Sequence, residues 1–228
     1  MSNVSGFSTS VIAALSTDQI QALTTADIVS LTTAQMQALT TDQVVALKTN
    51  QISVLSTTAM GVLTTAQVAA IETRDIAVLK TNQIAALTTA GIAALTTDQI
   101  QALSTSGVSA LKTTQVAALK TTQVAALTTT QISALTTTGV AALTTAQVAA
   151  IETTDIGSMT TRQVAALTTA GIAALTTDQV AALNTSQISA VTTAGIGAMS
   201  TAQVAAIETT DVAQLKTSQV AALTTAGT

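Results

Sequence analysis

The chain has 228 residues and a net charge of −4; 48% of its residues are hydrophobic, 8% are charged, and Trp, Tyr, His, Cys and Pro are absent. Without Cys there is no disulfide framework and no thiolate metal site, and without His the commonest general base and zinc ligand is missing. We therefore expect no enzyme, no cofactor, no metal site and no small-molecule substrate.

The seven basic and eleven acidic residues are scattered singly along the chain. A nucleic-acid-binding protein normally shows a basic stripe or stacking aromatic residues, and this sequence has neither. Apolar runs such as residues 11–15 are about five residues long, whereas a membrane-spanning helix needs roughly 20. We therefore expect no nucleic-acid partner and no membrane insertion.

Residues 1–6 are predicted to form a short N-terminal tail, and the start of the chain lacks the basic leader and apolar run of a Sec-type signal peptide. From Phe7 onward every eighth residue begins a new unit, which gives 27 full octads followed by a partial one at residues 223–228. No octad is lengthened or shortened. The sequence thus predicts one repeat domain over residues 7–228, with no linker.

The eight positions of the octad have distinct compositions, as LTTAQVAA at residues 63–70 illustrates. Position 1 is Leu or another apolar residue, position 6 is Ile, Val or Met, and position 8 is mostly Ala. Every charged residue occupies position 2, 4 or 5. We expect positions 1, 6 and 8 to face a core and positions 2, 4 and 5 to face water.

A period of eight fits neither a continuous helix nor a continuous strand. A helix advances about 100° per residue, so its apolar stripe would circle the surface. A strand would point positions 1 and 6 to opposite faces. The pattern favours an all-α solenoid with one very short helix per octad, stacked because such helices are unstable alone. A β-solenoid is the alternative, because Thr, Val and Ile favour strands.

Each helix needs an N-cap, and two positions are candidates. Position 2 would place Gln of position 5 at N3 of a capping box, but Lys and Glu at position 2 cap poorly. Position 3 is Thr in all 28 octads. We predict that position 3 is the cap, with position 2 as the alternative. The predicted caps of the central octads are Thr65, Thr73, Thr81, Thr89, Thr97, Thr105, Thr113, Thr121, Thr129, Thr137, Thr145 and Thr153.

A longer duplication lies over the octads. The run LTTAQVAAIET recurs at residues 63 and 143, and both copies are followed by an Asp at position 5 of the next octad. Glu72, Arg74 and Asp75 of the first copy raise the question of an ion site. Three charges without a loop rich in ligands are more typical of an ion pair on a solvated surface, which is our prediction.

Two stretches resemble known families. The run LTTDQVVAL at residues 39–47 resembles the opening of a TAL-effector DNA-binding repeat, but that family's second helix, base-reading pair and basic charge are missing. The phrase LTTxQVAA, along the whole chain, resembles Thr/Ala-rich repeat tracts of large bacterial surface and adhesin-like proteins. This second resemblance implies a fibre or stalk. We expect an extracellular or cell-surface location reached without the Sec route, with the cytoplasm as the alternative.

Solenoids usually carry polar terminal repeats, yet the first octad contains Phe7 and the last stops at Thr228. Exposed apolar ends favour head-to-tail stacking, which produces a filament when it does not close; a truncated piece of a longer tract would show the same ends. We predict a structural homo-oligomer or polymer that forms a filament or a rod segment of a bacterial surface fibre. The alternative is a module that binds ice or glycan through rows of Thr.

Overall fold

Each octad folds into one short α-helix. The computed structural model describes residues 4–223, which fall into two compact units, one ending at Ala118 and the other beginning at Leu119. Within residues 4–223 there are 27 α-helices and one 3-10 turn, and no strand. The predicted all-α class is confirmed, and the β-solenoid alternative is wrong.

The helices share a start at position 3 of the octad, and most are five or six residues long. In the first unit they are α1 Thr9–Ala13, α2 Thr17–Ala22, α3 Thr25–Ser30, α4 Thr33–Ala38, α5 Thr41–Ala46, α6 Thr49–Ile52, α7 Thr57–Val62, α8 Thr65–Ala70, α9 Thr73–Ile76, α10 Thr81–Ala86, α11 Thr89–Ala94, α12 Thr97–Ala102, α13 Thr105–Ser109 and α14 Thr113–Ala117. In the second unit they are α15 Thr121–Ala125, α16 Thr129–Ala134, α17 Thr137–Ala141, α18 Thr145–Ala149, α19 Thr153–Ser158, α20 Thr161–Ala166, α21 Thr169–Ala174, α22 Thr177–Ala181, α23 Thr185–Ile188, α24 Thr193–Gly197, α25 Thr201–Ala205, α26 Thr209–Val212 and α27 Thr217–Leu223.

The corner between two helices consists of positions 1 and 2 in extended conformation. At one such corner Leu95 has φ −57° and ψ 139°, and Thr96 has φ −74° and ψ 165°. No residue of the described chain has a positive φ. The helix is therefore ended by the extended pair and restarted by a cap, without the left-handed glycine that commonly ends helices.

Within each unit a helix packs against the helix three places later in the chain. In the first unit α7 contacts α10 and α10 contacts α13; in the second unit α18 contacts α21 and α21 contacts α24. Three octads therefore complete one turn in both units. Each unit is an α-helical solenoid in which successive turns lie on one another.

The core is built from positions 1 and 6. Val148 and Ile151 of the second unit are 1% and 3% exposed, and Ile84 and Leu87 of the first unit are buried to the same degree. Burial of such a side chain stabilises the fold by roughly 1.5–3 kcal/mol. Ala150, at position 8, is only half-buried. The predicted inward direction of positions 1 and 6 is confirmed, and position 8 lies at the rim of the core.

The N-terminal segment differs from the predicted tail. Val4–Gly6 forms a 3-10 turn, and Val4 is fully buried. Counting back from Phe7, Val4 occupies position 6 of a preceding octad, so residues 4–6 already belong to the repeat. Residues 1–3 of the tail and residues 224–228 of the partial octad lie outside the described residues. A single solenoid over residues 7–228 stays a prediction.

Candidate functional site: the glutamine ladder between turns

The side chain at position 5 lies between one turn and the turn before it. Where this residue is Gln, it is 1–3% exposed from the fourth octad onward. We call these buried glutamines the glutamine ladder. Its members are Gln35, Gln43, Gln51, Gln67, Gln83, Gln99 and Gln115 in the first unit, and Gln123, Gln131, Gln147, Gln163, Gln179, Gln187, Gln203 and Gln219 in the second.

Within one unit a ladder glutamine joins the ends of two helices, as Gln67 shows. Its Oε1 accepts the main-chain N–H of Thr64 at 2.9 Å, at the start of its own helix. Its Nε2 donates to the carbonyls of Met36 at 2.7 Å and Leu39 at 2.8 Å, at the end of α4 in the preceding turn. These main-chain groups are among those that a helix leaves unpaired at its ends.

The ladder contradicts the expectation that position 5 faces water. A buried amide without partners would cost about 1–3 kcal/mol, whereas a paired one contributes about 0.5–1.5 kcal/mol per bond. Within the described residues, no buried side-chain nitrogen or oxygen lacks a hydrogen-bond partner. The frequent recurrence of Gln directly before the apolar position 6 was the signal in the sequence that position 5 is a structural, paired residue.

The N-cap is position 2, not position 3. Thr96 Oγ1 accepts the N–H of Gln99 at 3.2 Å, and Gln99 Oε1 accepts the N–H of Thr96 at 2.8 Å, which completes a capping box. The prediction at position 3 is wrong because those threonines are already in helical conformation. Each occupies the first helical position: Thr65, Thr73, Thr81, Thr89, Thr97, Thr105, Thr113, Thr121, Thr129, Thr137, Thr145 and Thr153.

Lysine at position 2 is tolerated because the glutamine provides half of the capping box. The ammonium group of Lys80 cannot accept a hydrogen bond, so this side chain does not cap the helix. Its main-chain N–H nevertheless donates to Gln83 Oε1 at 2.8 Å. The same bond joins Lys112 to Gln115 at 2.8 Å. The poor capping ability of Lys therefore does not exclude position 2 as the cap.

Three octads carry a buried Asp in place of the ladder glutamine. Asp75, Asp155 and Asp211 are at most 4% exposed. Each accepts a bond from the hydroxyl of a position-3 Thr in the preceding turn: Thr49 at 2.6 Å, Thr129 at 2.8 Å and Thr185 at 2.6 Å.

The predicted surface ion pair is therefore only partly right. Arg74 forms an ion pair with Glu72, but Asp75 is buried, and its Oδ1 lies 3.8 Å from Arg74 Nε. Among residues 4–223, no group of three or more carboxylates is placed to hold a metal ion.

The ladder gives the stack a direction. Position 5 points to the preceding turn: a Cβ on Gly91 would lie 3.5 Å from Val68 Cγ2, a position-6 atom of that turn. Position 6 points to the following turn, so Val212 and Val220 of the last described turn are 43% and 44% exposed. In the first turn position 6 is buried, and Val11 at position 5 is 45% exposed.

A carboxyl of the first turn, that of Asp27, has a displaced pKa. The hydroxyl of Thr24 donates to Asp27 Oδ2 at 2.6 Å, and the N–H of Thr24 donates to the same oxygen at 3.0 Å. These bonds favour the charged form and lower the pKa of Asp27. Asp27 is therefore an anionic capping residue on the face of the first turn.

Short capped helices, three to a turn and joined by buried glutamines, define a helical repeat protein of the solenoid class. The chain belongs to the ALTTAQ repeat family, which matches residues 3–33, 12–49, 68–105, 100–129, 108–137, 121–150 and 148–185. In residues 142–147 these six letters are Ala at position 8, Leu at position 1, the cap, the first helical residue, Ala at position 4 and the ladder glutamine.

No curated protein matches the chain. None of the helices within residues 4–223 has the length and apolar character needed to cross a bilayer. The family match confirms the predicted repeat protein, whereas the likeness to bacterial surface and adhesin-like proteins stays a prediction.

Substitutions at two neighbouring threonines test which of them is the cap and which is only the first helical residue. Thr176 Oγ1 accepts the N–H of Gln179 at 3.1 Å, whereas Thr177 is exposed and begins α22. We expect Thr176→Ala to lower the free energy of unfolding by about 1 kcal/mol, and Thr177→Ala to change it by less than about 0.5 kcal/mol. Urea denaturation followed by circular dichroism measures both. A larger loss for Thr177→Ala would return the cap to position 3.

The ladder glutamine is tested by a side chain of similar length that forms no hydrogen bonds. Gln83→Met removes the bonds to the N–H of Lys80 and to the carbonyls of Ile52 and Leu55, at 2.8 to 3.0 Å. We expect a loss of about 2–4 kcal/mol, because buried main-chain groups are left unpaired. Gln37→Met, at an exposed position of the same unit, is the control and should be nearly neutral. Equal effects in urea denaturation would contradict the role of the ladder.

Proposed function

We propose that this chain is a structural repeat protein that self-associates end to end into a filament or forms a rod segment of a bacterial surface fibre. The observation that carries the proposal is the glutamine ladder. Each turn presents to the next turn an apolar position-6 surface and the carbonyls that its own helices leave unpaired. The position-5 side chains of the next turn pack against that surface and bind those carbonyls. A turn of another copy could stack on this one through the same surfaces that neighbouring turns of one unit already use.

The direction of the stack supports an open assembly. Position 5 faces one way along each unit and position 6 faces the other, so the two faces of a turn are unlike. A contact between unlike faces of identical subunits is heterologous, and a heterologous contact that does not close into a ring continues as a filament. The proposed partner is therefore the chain itself.

The proposal includes a non-catalytic role, without nucleic-acid, membrane or small-molecule partners. It is supported by the absence of His and Cys from the sequence and by the use of the buried polar side chains as links between turns. We propose an extracellular or cell-surface location, which is supported by the resemblance to surface repeat tracts; the cytoplasm is the alternative.

Self-association is measured on the purified chain by sedimentation velocity and negative-stain microscopy. We expect particles heavier than the 22.6 kDa monomer whose mass increases with concentration, and threads of uniform width. Val78→Glu is the control: this position-8 side chain is exposed and belongs to a middle turn of the first unit, so the change should leave the assembly unchanged. A single 22.6 kDa species at every concentration would contradict the proposal.

A second candidate function is the binding of a regular surface, ice or glycan, through rows of Thr. The observation that favours it is that position-3 hydroxyls are not used as caps. Thr145, Thr169 and Thr193 are exposed at the starts of α18, α21 and α24, which lie in successive turns of the second unit. They form a row of hydroxyl and methyl groups along one side of that unit.

This candidate predicts thermal hysteresis in a freezing-point measurement. Thr145→Glu with Thr169→Glu should abolish it, because the charges interrupt the row, while the fold is kept since Glu is favoured in the first turn of a helix. Ala149→Glu with Ala173→Glu places the same charges at exposed position-7 sites and is the matched control. The absence of hysteresis in the unmodified chain would exclude ice and leave glycan arrays as the remaining ligand to test.

A further inference from the structure

The first described turn, in the first unit, and the last described turn, in the second unit, present opposite halves of the inter-turn contact. The first-turn face consists of the position-5 side chains Val11 and Gln19, which are exposed, and Asp27, which is half-buried. The last-turn face consists of the position-6 side chains Val212 and Val220, which are exposed, and Val204, which is half-buried. Equivalent side chains in the interior of both units are buried, as Gln67 and Val68 in the first and Gln163 and Val164 in the second show.

The polar groups of the two faces are complementary. Gln19 Oε1 already accepts the N–H of Ser16 at 2.8 Å, as a ladder glutamine does, but its Nε2 has no carbonyl to bind among residues 4–223. On the last-turn face, Ile207 and Leu215 occupy position 1 of the octad, whose carbonyl binds a ladder glutamine elsewhere, as Leu39 does. No glutamine amide of the described residues binds these two carbonyls. One face therefore offers the donor and the other offers the acceptors.

Like faces do not fit one another in this way. Two first-turn faces would bring amide donors and the Asp27 carboxylates together without main-chain acceptors. Two last-turn faces would oppose carbonyls with no donor. In contrast, unlike faces bring Val11 against an apolar position-6 surface and the Gln19 amide against carbonyls, which reproduces the contact already present between turns of one unit.

We infer that the first-turn face of one copy binds the last-turn face of a second copy, with the Gln19 amide donating to main-chain carbonyls of the partner copy. This inference rests on the proposed self-association and specifies its contact. The assembly is polar: every copy has one donor end and one acceptor end. Growth at either end uses the same contact.

Two variants of the 228-residue chain block one end each. The first-turn variant is Val11→Glu with Gln19→Glu, and the Glu at 19 keeps a carboxylate oxygen for the N–H of Ser16. The last-turn variant is Val212→Glu with Val220→Glu. These side chains are exposed in the single chain, so both variants should fold, which circular dichroism and the melting temperature check.

Each variant alone should stay at the 22.6 kDa of the monomer in sedimentation velocity. A one-to-one mixture should form a particle of twice that mass and nothing larger, because each variant keeps the end that the other lacks. Dimers of either variant alone, or a mixture that stays monomeric, would overturn the inference. Variants that still form filaments would place the contact elsewhere, and self-association itself would stand. An unmodified chain that does not associate overturns both.

The Gln19 amide has a matched control two residues away. Gln19→Glu and Gln21→Glu add the same charge to the same helix, but Gln21 is an exposed position-7 residue outside the first-turn face. We expect Gln19→Glu to weaken the self-association by about ten- to a hundredfold, because the donor is lost and a carboxylate faces carbonyls. Gln21→Glu should change it by less than about twofold. Equal weakening by both would exclude the amide contact.

Discussion

The hydrogen bonds of the position-5 glutamine are the interaction on which this fold depends. A helix of five or six residues cannot pair most of its own main-chain groups, since four N–H groups and four carbonyls are left over at the ends of any α-helix. Gln67 accepts an N–H at the start of one helix and donates to two carbonyls at the end of another in the preceding turn. The side chain that caps a helix is therefore also the link between turns, so helix formation and stacking depend on each other.

The same geometry explains which substitutions the repeat tolerates. Lys at position 2 is acceptable because Gln still accepts the main-chain N–H of that residue. Asp at position 5 is acceptable where a Thr hydroxyl of the preceding turn reaches it, as Thr129 reaches Asp155. Gly at position 5 forms no ladder bond, but the glutamines of the adjacent octads still form theirs. The loss is tolerated because the stability of a solenoid is the sum of many local contacts.

The unlike faces of each turn connect the fold to the proposed function. Position 5 and position 6 are adjacent in sequence, yet one points to the preceding turn and the other to the following one. Every turn is therefore a donor on one side and an acceptor on the other. Because the two faces of every turn are unlike, a contact that continues the stack from one copy to the next is heterologous and can be repeated by a third copy, and this is the physical reason for proposing a polar, open assembly.

The sequence by itself determined the period of eight, the presence of one short helix per octad and the apolar core at positions 1 and 6. These features follow from local rules: the angle per residue of a helix and the side chains that interrupt it. It did not determine the cap, because the constant Thr at position 3 and the variable position 2 both fit a helix start until the main-chain conformation is known.

Only the tertiary structure decided that three octads form a turn and that position 5 is buried. The acceptors of Gln83 lie 28 and 31 residues earlier in the chain, at Leu55 and Ile52. A pattern of eight residues carries no information about a partner 28 or 31 residues away in the sequence. The number of octads per turn sets which carbonyls face which amide, and it is fixed by how the short helices pack against one another.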